Sequence, residues 1–243
     1  NGGDPAVVSA HAGTGKTTTL KAISGMQPTR PGTYLAFNTS VVRQAAGSFP
    51  GRVNVTTAHS LAYKAIGHQY GHRLPGNPGA TRMSAQRMAS VLRIKPADLS
   101  TGTLNPVVVT RMAQATVASF IKSTSRQIGP NHIPARVLAY HDPAEIAAVV
   151  TPVADRIWRD LRDTGGRFYF THDVYLKLWA LTNPVIPSDY IMFDEAQDAD
   201  PVIAAIVARQ AAQLVYVGDE NQAIYGWRGA IDAMGKVEGA TRL

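Results

Sequence analysis

An α/β fold is what this sequence predicts: a parallel sheet carried by two separate stretches of chain, with a mainly helical insertion between them. Three observations predict it. Five short apolar, β-rich runs recur: Ala6-Val7-Val8, Tyr34-Leu35-Ala36-Phe37, Val53-Asn54-Val55-Thr56, Tyr190-Ile191-Met192-Phe193 and Leu214-Val215-Tyr216-Val217. Taken together they lack strict apolar/polar alternation, as expected of strands covered on both faces of a parallel sheet. Between about Gly67 and Pro187 such runs nearly vanish and amphipathic helical patterns replace them, most clearly over 105–122 and 144–163. A glycine-containing loop also joins the first run directly to a helix.

Each strand-like run is followed by a polar or glycine-containing segment, and helical stretches at 16–26, 40–46, 60–66 and 201–212 supply the crossovers. Asp200 before Pro201 is a start signal, an N-cap followed by proline at the first helical position. The turn-rich loop 72–80, with Pro75, Gly76, Asn77, Pro78 and Gly79, marks the near boundary of the insertion, and Asn183-Pro184-Val185-Ile186-Pro187 marks the far one. The expected division is therefore a first sheet segment over 1–68, a helical insertion over 69–187 and a second sheet segment over 188–243. No internal repeat or low-complexity tract interrupts it.

Length and composition bound the function. At 243 residues, with 45% hydrophobic and 17% charged, the chain has the material for one large domain or two modest ones and does not read as disordered. No apolar run approaches the roughly 18 to 20 residues that span a bilayer, and the first residues lack a basic segment followed by an apolar one. The expectation is a soluble, unsecreted protein with no membrane partner, cytoplasmic in a bacterial or phage-infected cell or nuclear in a eukaryote. The absence of cysteine removes disulfides, zinc knuckles and thiol catalysis. A net charge of +7 and a pI near 9.8 favour a polyanionic partner, because each phosphate neutralised by Lys or Arg releases condensed counterions. The start at Asn1 and the ending Gly239-Ala240-Thr241-Arg242-Leu243 read as the ends of an excised piece of a longer protein.

The strongest chemical signal is Ala10-His11-Ala12-Gly13-Thr14-Gly15-Lys16-Thr17, directly after the first strand and opening a helix. A loop of this kind turns backbone N–H groups onto phosphate oxygens, and the helix N-terminus adds partial positive charge. Gly13 and Gly15 permit the backbone angles and the close approach. Lys16 is expected to reach the β- and γ-phosphates and Thr17 to place its hydroxyl on Mg²⁺. The expected nucleotide contacts are Ala12, Gly13, Thr14, Gly15, Lys16, Thr17 and Thr18. Ala10 stands where the general pattern has its first glycine.

The second signal is Asp194-Glu195-Ala196-Gln197-Asp198 after the run ending at Phe193. A carboxylate at the C-terminal end of a buried parallel strand lies where the phosphate cradle opens, so Asp194 is the expected Mg²⁺ ligand. Glu195 is then placed to orient and deprotonate the attacking water. Read alone, the same residues are also an acidic helix N-terminus, where carboxylates are favoured anyway. A third signal, Gly218-Asp219-Glu220-Asn221-Gln222-Ala223-Ile224-Tyr225-Gly226-Trp227-Arg228-Gly229-Ala230, follows the fifth strand. Gln222 is the candidate γ-phosphate sensor, with both a nucleotide-binding and a catalytic role. Tyr225 and Trp227 are candidates for stacking on unpaired bases, each such contact worth about 1 to 3 kcal/mol. For Trp227 a domain-interface aromatic is the plain alternative.

As a set these motifs resemble helicase superfamily 1A, the UvrD/Rep/PcrA-like group. AHAGTGKTTTL is similar to motif I, YLAFNTSVVRQA to motif Ia, VTTAHSLAY to motif Ib, IMFDEAQD to motif II and VGDENQAIYGWRGA to motif III. Thr171-His172-Asp173-Val174-Tyr175-Leu176-Lys177-Leu178-Trp179, the wording around DEAQD and the spacing of the insertion resemble its F-box DNA helicase branch, although no F-box is visible. The resemblance implies a RecA-like P-loop NTPase domain, 1A, interrupted by a helical 1B insertion. It also implies ATP with Mg²⁺ as cofactors and 3′ to 5′ movement on single-stranded DNA, with single-strand/double-strand junctions as substrates. By motif match, Phe37, Asn38, Thr57 and His59 would lie along the DNA track with Tyr225 and Trp227, and Arg228 would couple that track to the nucleotide. Ala58 stands where many relatives have an aromatic residue. The family's adenine-recognition motif and motifs IV to VI, on a second C-terminal RecA-like half that supplies arginine fingers, are not in this sequence. By itself this portion is expected to hydrolyse nucleotide slowly.

Other signals are weaker. His68 and His72 are four apart but read as a solvated loop rather than a metal pair. Arg126, Arg136, Arg156, Arg159, Arg162 and Arg167 are equally readable as phosphate contacts or as a solvated helix face. Two other function classes compete with the motor. One is a truncated, nucleotide-gated single-stranded-DNA-binding module without motor action. The other is a P-loop phosphotransferase, against which stand the Asp194-Glu195 pair and the aromatic-rich third motif.

Overall fold

The computed structural model describes residues 4–9, 15–78, 80, 82–219 and 241–242. In chain order the elements are β1 (Ala6–Ser9), α1 (Lys16–Gly25), β2 (Gly32–Leu35), α2 (Thr39–Ala45), β3 (Val53–Thr56) and α3 (Ala58–Ala65). There follow α4 (Ala85–Val91), β4 (Ala97–Leu99), β5 (Gly102–Leu104), α5 (Pro106–Ile121), α6 (Ala135–Leu138), α7 (Pro143–Arg162) and α8 (His172–Leu181). The chain closes with β6 (Tyr190–Phe193), α9 (Pro201–Ala208), β7 (Gln213–Gly218) and the two-residue β8 (Thr241–Arg242). Two compact units result, one drawn from residues before 65 and after 181, the other from residues 65–181.

The first unit is an α/β sheet unit with every strand pair parallel, in the order β3-β2-β6-β7-β1-β8. Its adjacent interior strands β2 and β6 are buried along their whole length, which is why their sequences show no alternation. One core gathers Val8, Leu20, Tyr34, Ala36, Ala45, Phe49, Tyr190, Met192, Val215 and Val217. Register aligns the strand ends: Leu35 lies opposite Thr56 and Phe193, Phe193 opposite Tyr216, and Ser9 opposite Gly218. The loops after β1, β2, β3, β6 and β7 therefore leave from one carboxyl edge, where open α/β sheets bind ligands.

The largest boundary differences from the sequence expectation are in β2 and α9. Strand β2 starts at Gly32 and stops at Leu35, so Phe37 lies beyond it. Gly32 pairs with Val53 and Tyr190, and a Cβ there would overlap the Tyr190 ring. Absence of a side chain is thus what the strand needs at a position that looks like a turn. Helix α9 ends at Ala208 rather than 212. The Gln210 amide is drawn to the 184–186 backbone, donating to Pro184 O at 3.0 Å and accepting from Ile186 N at 2.8 Å.

In the second unit α5 packs along α7. Asn105 and Asp142 cap these helices, each with proline at the first position: Asn105 Oδ1 accepts from Val108 N at 3.0 Å, and Asp142 Oδ1 from Ala144 N at 2.9 Å. Strands β4 and β5 form a small antiparallel hairpin that the helical reading of this stretch did not include. The His68 to His72 stretch, expected as a solvated loop, is part of a 3-10 turn over Gly67–Arg73. Tyr70 holds it, its ring stacked 4.4 Å from Phe170 and its hydroxyl donating to Arg162 O at 2.7 Å. Among the described residues no helix is long and apolar enough to cross a membrane.

Candidate functional site

At the carboxyl edge of the sheet unit, two residues 179 positions apart meet. Lys16 opens α1, and its Nζ donates to Glu195 Oε1 at 3.2 Å. Gly15, just before it, has φ 87°, a left-handed conformation that glycine adopts without strain. Glu195 follows β6 and is itself left-handed, with φ 52° and ψ 42°. A non-glycine residue in that region carries strain on the order of 1 kcal/mol, which persists where surrounding contacts over-determine it. Those contacts are Lys16 on one carboxylate oxygen and Gln197 Nε2, 2.5 Å from the other.

Asp194 is buried, and the Tyr34 hydroxyl from neighbouring β2 donates to its Oδ2. Burial pushes the Asp194 carboxyl above the ordinary carboxylate range; the Tyr34 hydrogen bond opposes this, nearby Glu195 adds to it, and Lys16 opposes it. Burial and the adjoining Asp194 carboxylate push the Tyr34 phenol up as well. An oxygen ligand so poorly solvated gains from a hard cation. Thr17, on the exposed first turn of α1, adds a hydroxyl, and Thr18 is exposed beside it. This donor set fits Mg²⁺ completed by phosphate oxygens and water, and Gly15 and Lys16 fit a polyphosphate.

The other expected residues lie as follows. Phe37 is 48% exposed just past β2. Asn38 caps α2, its Oδ1 accepting from Val41 N at 3.0 Å. Thr57 is buried, and its hydroxyl accepts from Ser60 N at 3.1 Å in the first turn of α3, where His59 is half-buried. These four residues follow β2 and β3, on the same edge as Lys16 and Glu195. Ala12, Gly13, Thr14, Gln222, Tyr225, Trp227 and Arg228 lie outside the described residues, as does His11. Of the arginines in the second unit, Arg126 donates to Leu181 O at 3.1 Å and Arg156 to Leu92 O.

Two site residues had no assigned role in the sequence reading. Tyr34 is a phenol on a fully buried strand next to the one that ends in the acidic pair, and a buried phenol usually finds a partner. Gln197 is 3% exposed, and a glutamine that close to a strand end is a signal in itself, since buried amides are hydrogen-bonded.

A parallel α/β sheet that gathers a lysine at a helix start and an acidic pair at a strand end on one edge defines the class: a P-loop domain of RecA-like type. The family follows from comparison with known proteins. Residues 183–236 match the UvrD/REP helicase N-terminal domain. Over 93% of its length the chain is 30% identical to F-box DNA helicase 1 of Gallus gallus, covering 23% of that protein. Over 95% of its length it is 33% identical to F-box DNA helicase protein 1 of Schizosaccharomyces pombe, covering 27% of it. These matches support the UvrD-like helicase N-terminal half as the family of this chain. The chain spans about a quarter of the length of the relatives it matches.

Proposed function

We propose that this chain is the ATP-binding part of a DNA helicase motor, which couples hydrolysis of ATP to 3′ to 5′ movement along single-stranded DNA and opens single-strand/double-strand junctions. The observation that carries this reading is the Lys16–Glu195 contact at 3.2 Å, because the proposed phosphate-binding lysine and the proposed base share one edge of one sheet. In this reading Lys16, with Gly15 and the loop residues Ala12, Gly13 and Thr14, binds the triphosphate, and Thr18 and Gln222 add contacts. Thr17 and Asp194 hold Mg²⁺, which when bound neutralises phosphate charge. As the phosphates take over the Lys16 ammonium, Oε1 of Glu195 is released to orient water and accept its proton. The DNA track is Phe37, Asn38, Thr57, His59, Tyr225 and Trp227, with Arg228 linking track to nucleotide. A second RecA-like half completes the site, and residues 69–187 act as the 1B insertion.

The test is DNA-stimulated phosphate release by the longest natural reading frame containing this chain. Wild type is stimulated by single-stranded DNA, and Glu195→Gln loses on the order of 10²-fold or more in turnover, the contribution typical of a positioned base. Full DNA-stimulated turnover by Glu195→Gln would overturn the base assignment.

A further inference from the structure

Gln197 is 3% exposed, and both ends of its amide are engaged. Nε2 donates to Glu195 Oε2 at 2.5 Å, and Oε1 accepts from the Asp219 backbone N–H at 3.2 Å. Asp219 is the first residue after β7, 22 positions on in sequence, where the chain leads toward Gln222, Tyr225 and Trp227. We infer that Gln197 is a positioning residue for Glu195, fixing its carboxylate through one oxygen and tying it to the backbone at the end of β7.

This positioning role presupposes that Glu195 is the base, as proposed above. Its two oxygens have separate partners, Lys16 on Oε1 and Gln197 on Oε2. A triphosphate competes for Lys16, since a multiply charged anion outweighs one carboxylate. Gln197, neutral and buried, has no such competitor. Once Lys16 turns to phosphate, Gln197 is what still holds the carboxylate in place, with Oε1 turned toward the space Lys16 has left. A charged residue at 197 would either neutralise the base or repel it. A neutral amide does neither, and its second end is free to accept from Asp219. The tie to Asp219 gives the segment beyond β7 a direct hydrogen-bonded route to the position of the base.

The test uses Gln197→Met, which keeps volume and removes both hydrogen bonds, and Gln197→Glu, which keeps an acceptor for Asp219 N but no donor for Glu195. Both are made in the longest natural reading frame and assayed for kcat, KM for ATP and affinity for a non-hydrolysable ATP analogue with Mg²⁺. The expected result is a kcat loss on the order of 100-fold, as for a misplaced catalytic group, with analogue affinity within about threefold of wild type. Turnover within about twofold of wild type in either variant overturns the inference. So does a loss of analogue affinity as large as the loss of kcat, the mark of a merely structural role. Should Gln197→Met fail to fold, Gln197→Glu decides. Glu195→Gln assayed alongside separates the two readings. If it retains turnover, the base assignment itself fails; if it is inactive while the Gln197 variants turn over normally, only the positioning role fails.

Discussion

Lys177 in α8 and Lys16 in α1 are both lysines on helices with little exposure, yet they are held in opposite ways. Lys177 is 1% exposed, and its Nζ donates to Ser123 O and Ser125 O at 2.6 Å each, with the Phe120 ring centroid 4.2 Å away. Those carbonyls lie just past the C-terminal end of α5, the negative end of its dipole. Arg73 follows the same rule past the end of α7, donating to Asp163 O and, at 2.8 Å, to Phe168 O, with Asp160 Oδ1 at 3.4 Å. Both of these cations are tied to the main chain, which no ligand displaces. Lys16 instead sits at the N-terminal, positive end of its helix, where a cation is disfavoured and an anion welcome. Its partner is the Glu195 side-chain carboxylate, which in the proposed function a stronger anion replaces. Position relative to a helix end, not residue type, separates this structural lysine from the proposed phosphate-binding one.

The same substitution at both places sharpens this contrast. Lys177→Met takes the donor from two part-buried carbonyls and leaves a gap at a buried position, and should destabilise the 65–181 unit by about 3 kcal/mol, measured by urea unfolding. Lys16→Met, which removes a cation from a helix N-terminus, should change stability by less than about 1 kcal/mol. Equal losses at the two sites would break the comparison.

A smaller effect concerns His132, which is 3% exposed beside the same cluster. Its Nδ1 accepts from Gly129 N at 3.0 Å, and its Nε2 lies 3.2 Å from Ser123 Oγ. Burial pushes its pKa below the usual 6.5; the Gly129 carbonyl, 3.2 Å from Nδ1, opposes this and Lys177 adds to it. The unfolded chain therefore binds the proton first on acidification. Stability is complete above pH 6.5 and falls as pH drops toward the depressed folded value, with a slope of at most about 1.4 kcal/mol per pH unit. His132→Gln should remove that slope, checked by urea unfolding between neutral and mildly acidic pH. A slope that persists would assign it to another group.

What the sequence made legible was what periodicity and strand-end chemistry encode. Apolar runs ending in Ser9, Thr56 and Asp194 mark strands and their functional edge, because a buried parallel strand has few polar residues until it emerges. The start of β2 was not legible, since Gly32 reads as a turn until the Tyr190 ring is laid over it. The β4–β5 hairpin escaped because three-residue strands have no period to detect. Arg73 and Lys177 escaped because their residue types suggest solvent and only tertiary contacts reverse that. On α8 the available sign was an apolar residue at every position from Val174 to Trp179 except Lys177, the pattern of a helix enclosed on all sides, and the structure buries all six. At the site, Lys16, Asp194 and Glu195 were readable as candidates from their motifs, whereas the partners of Tyr34 and Gln197 appear only in the tertiary contacts.

The central claim, that Lys16 and Glu195 address one triphosphate, is tested most directly by calorimetric titration of this chain with Mg²⁺ and a non-hydrolysable ATP analogue. Lys16→Met should abolish detectable binding, and Glu195→Gln, which relieves Lys16 of its competing carboxylate, should bind at least as tightly as wild type. Binding lost equally in both variants, or kept by Lys16→Met, would contradict the account.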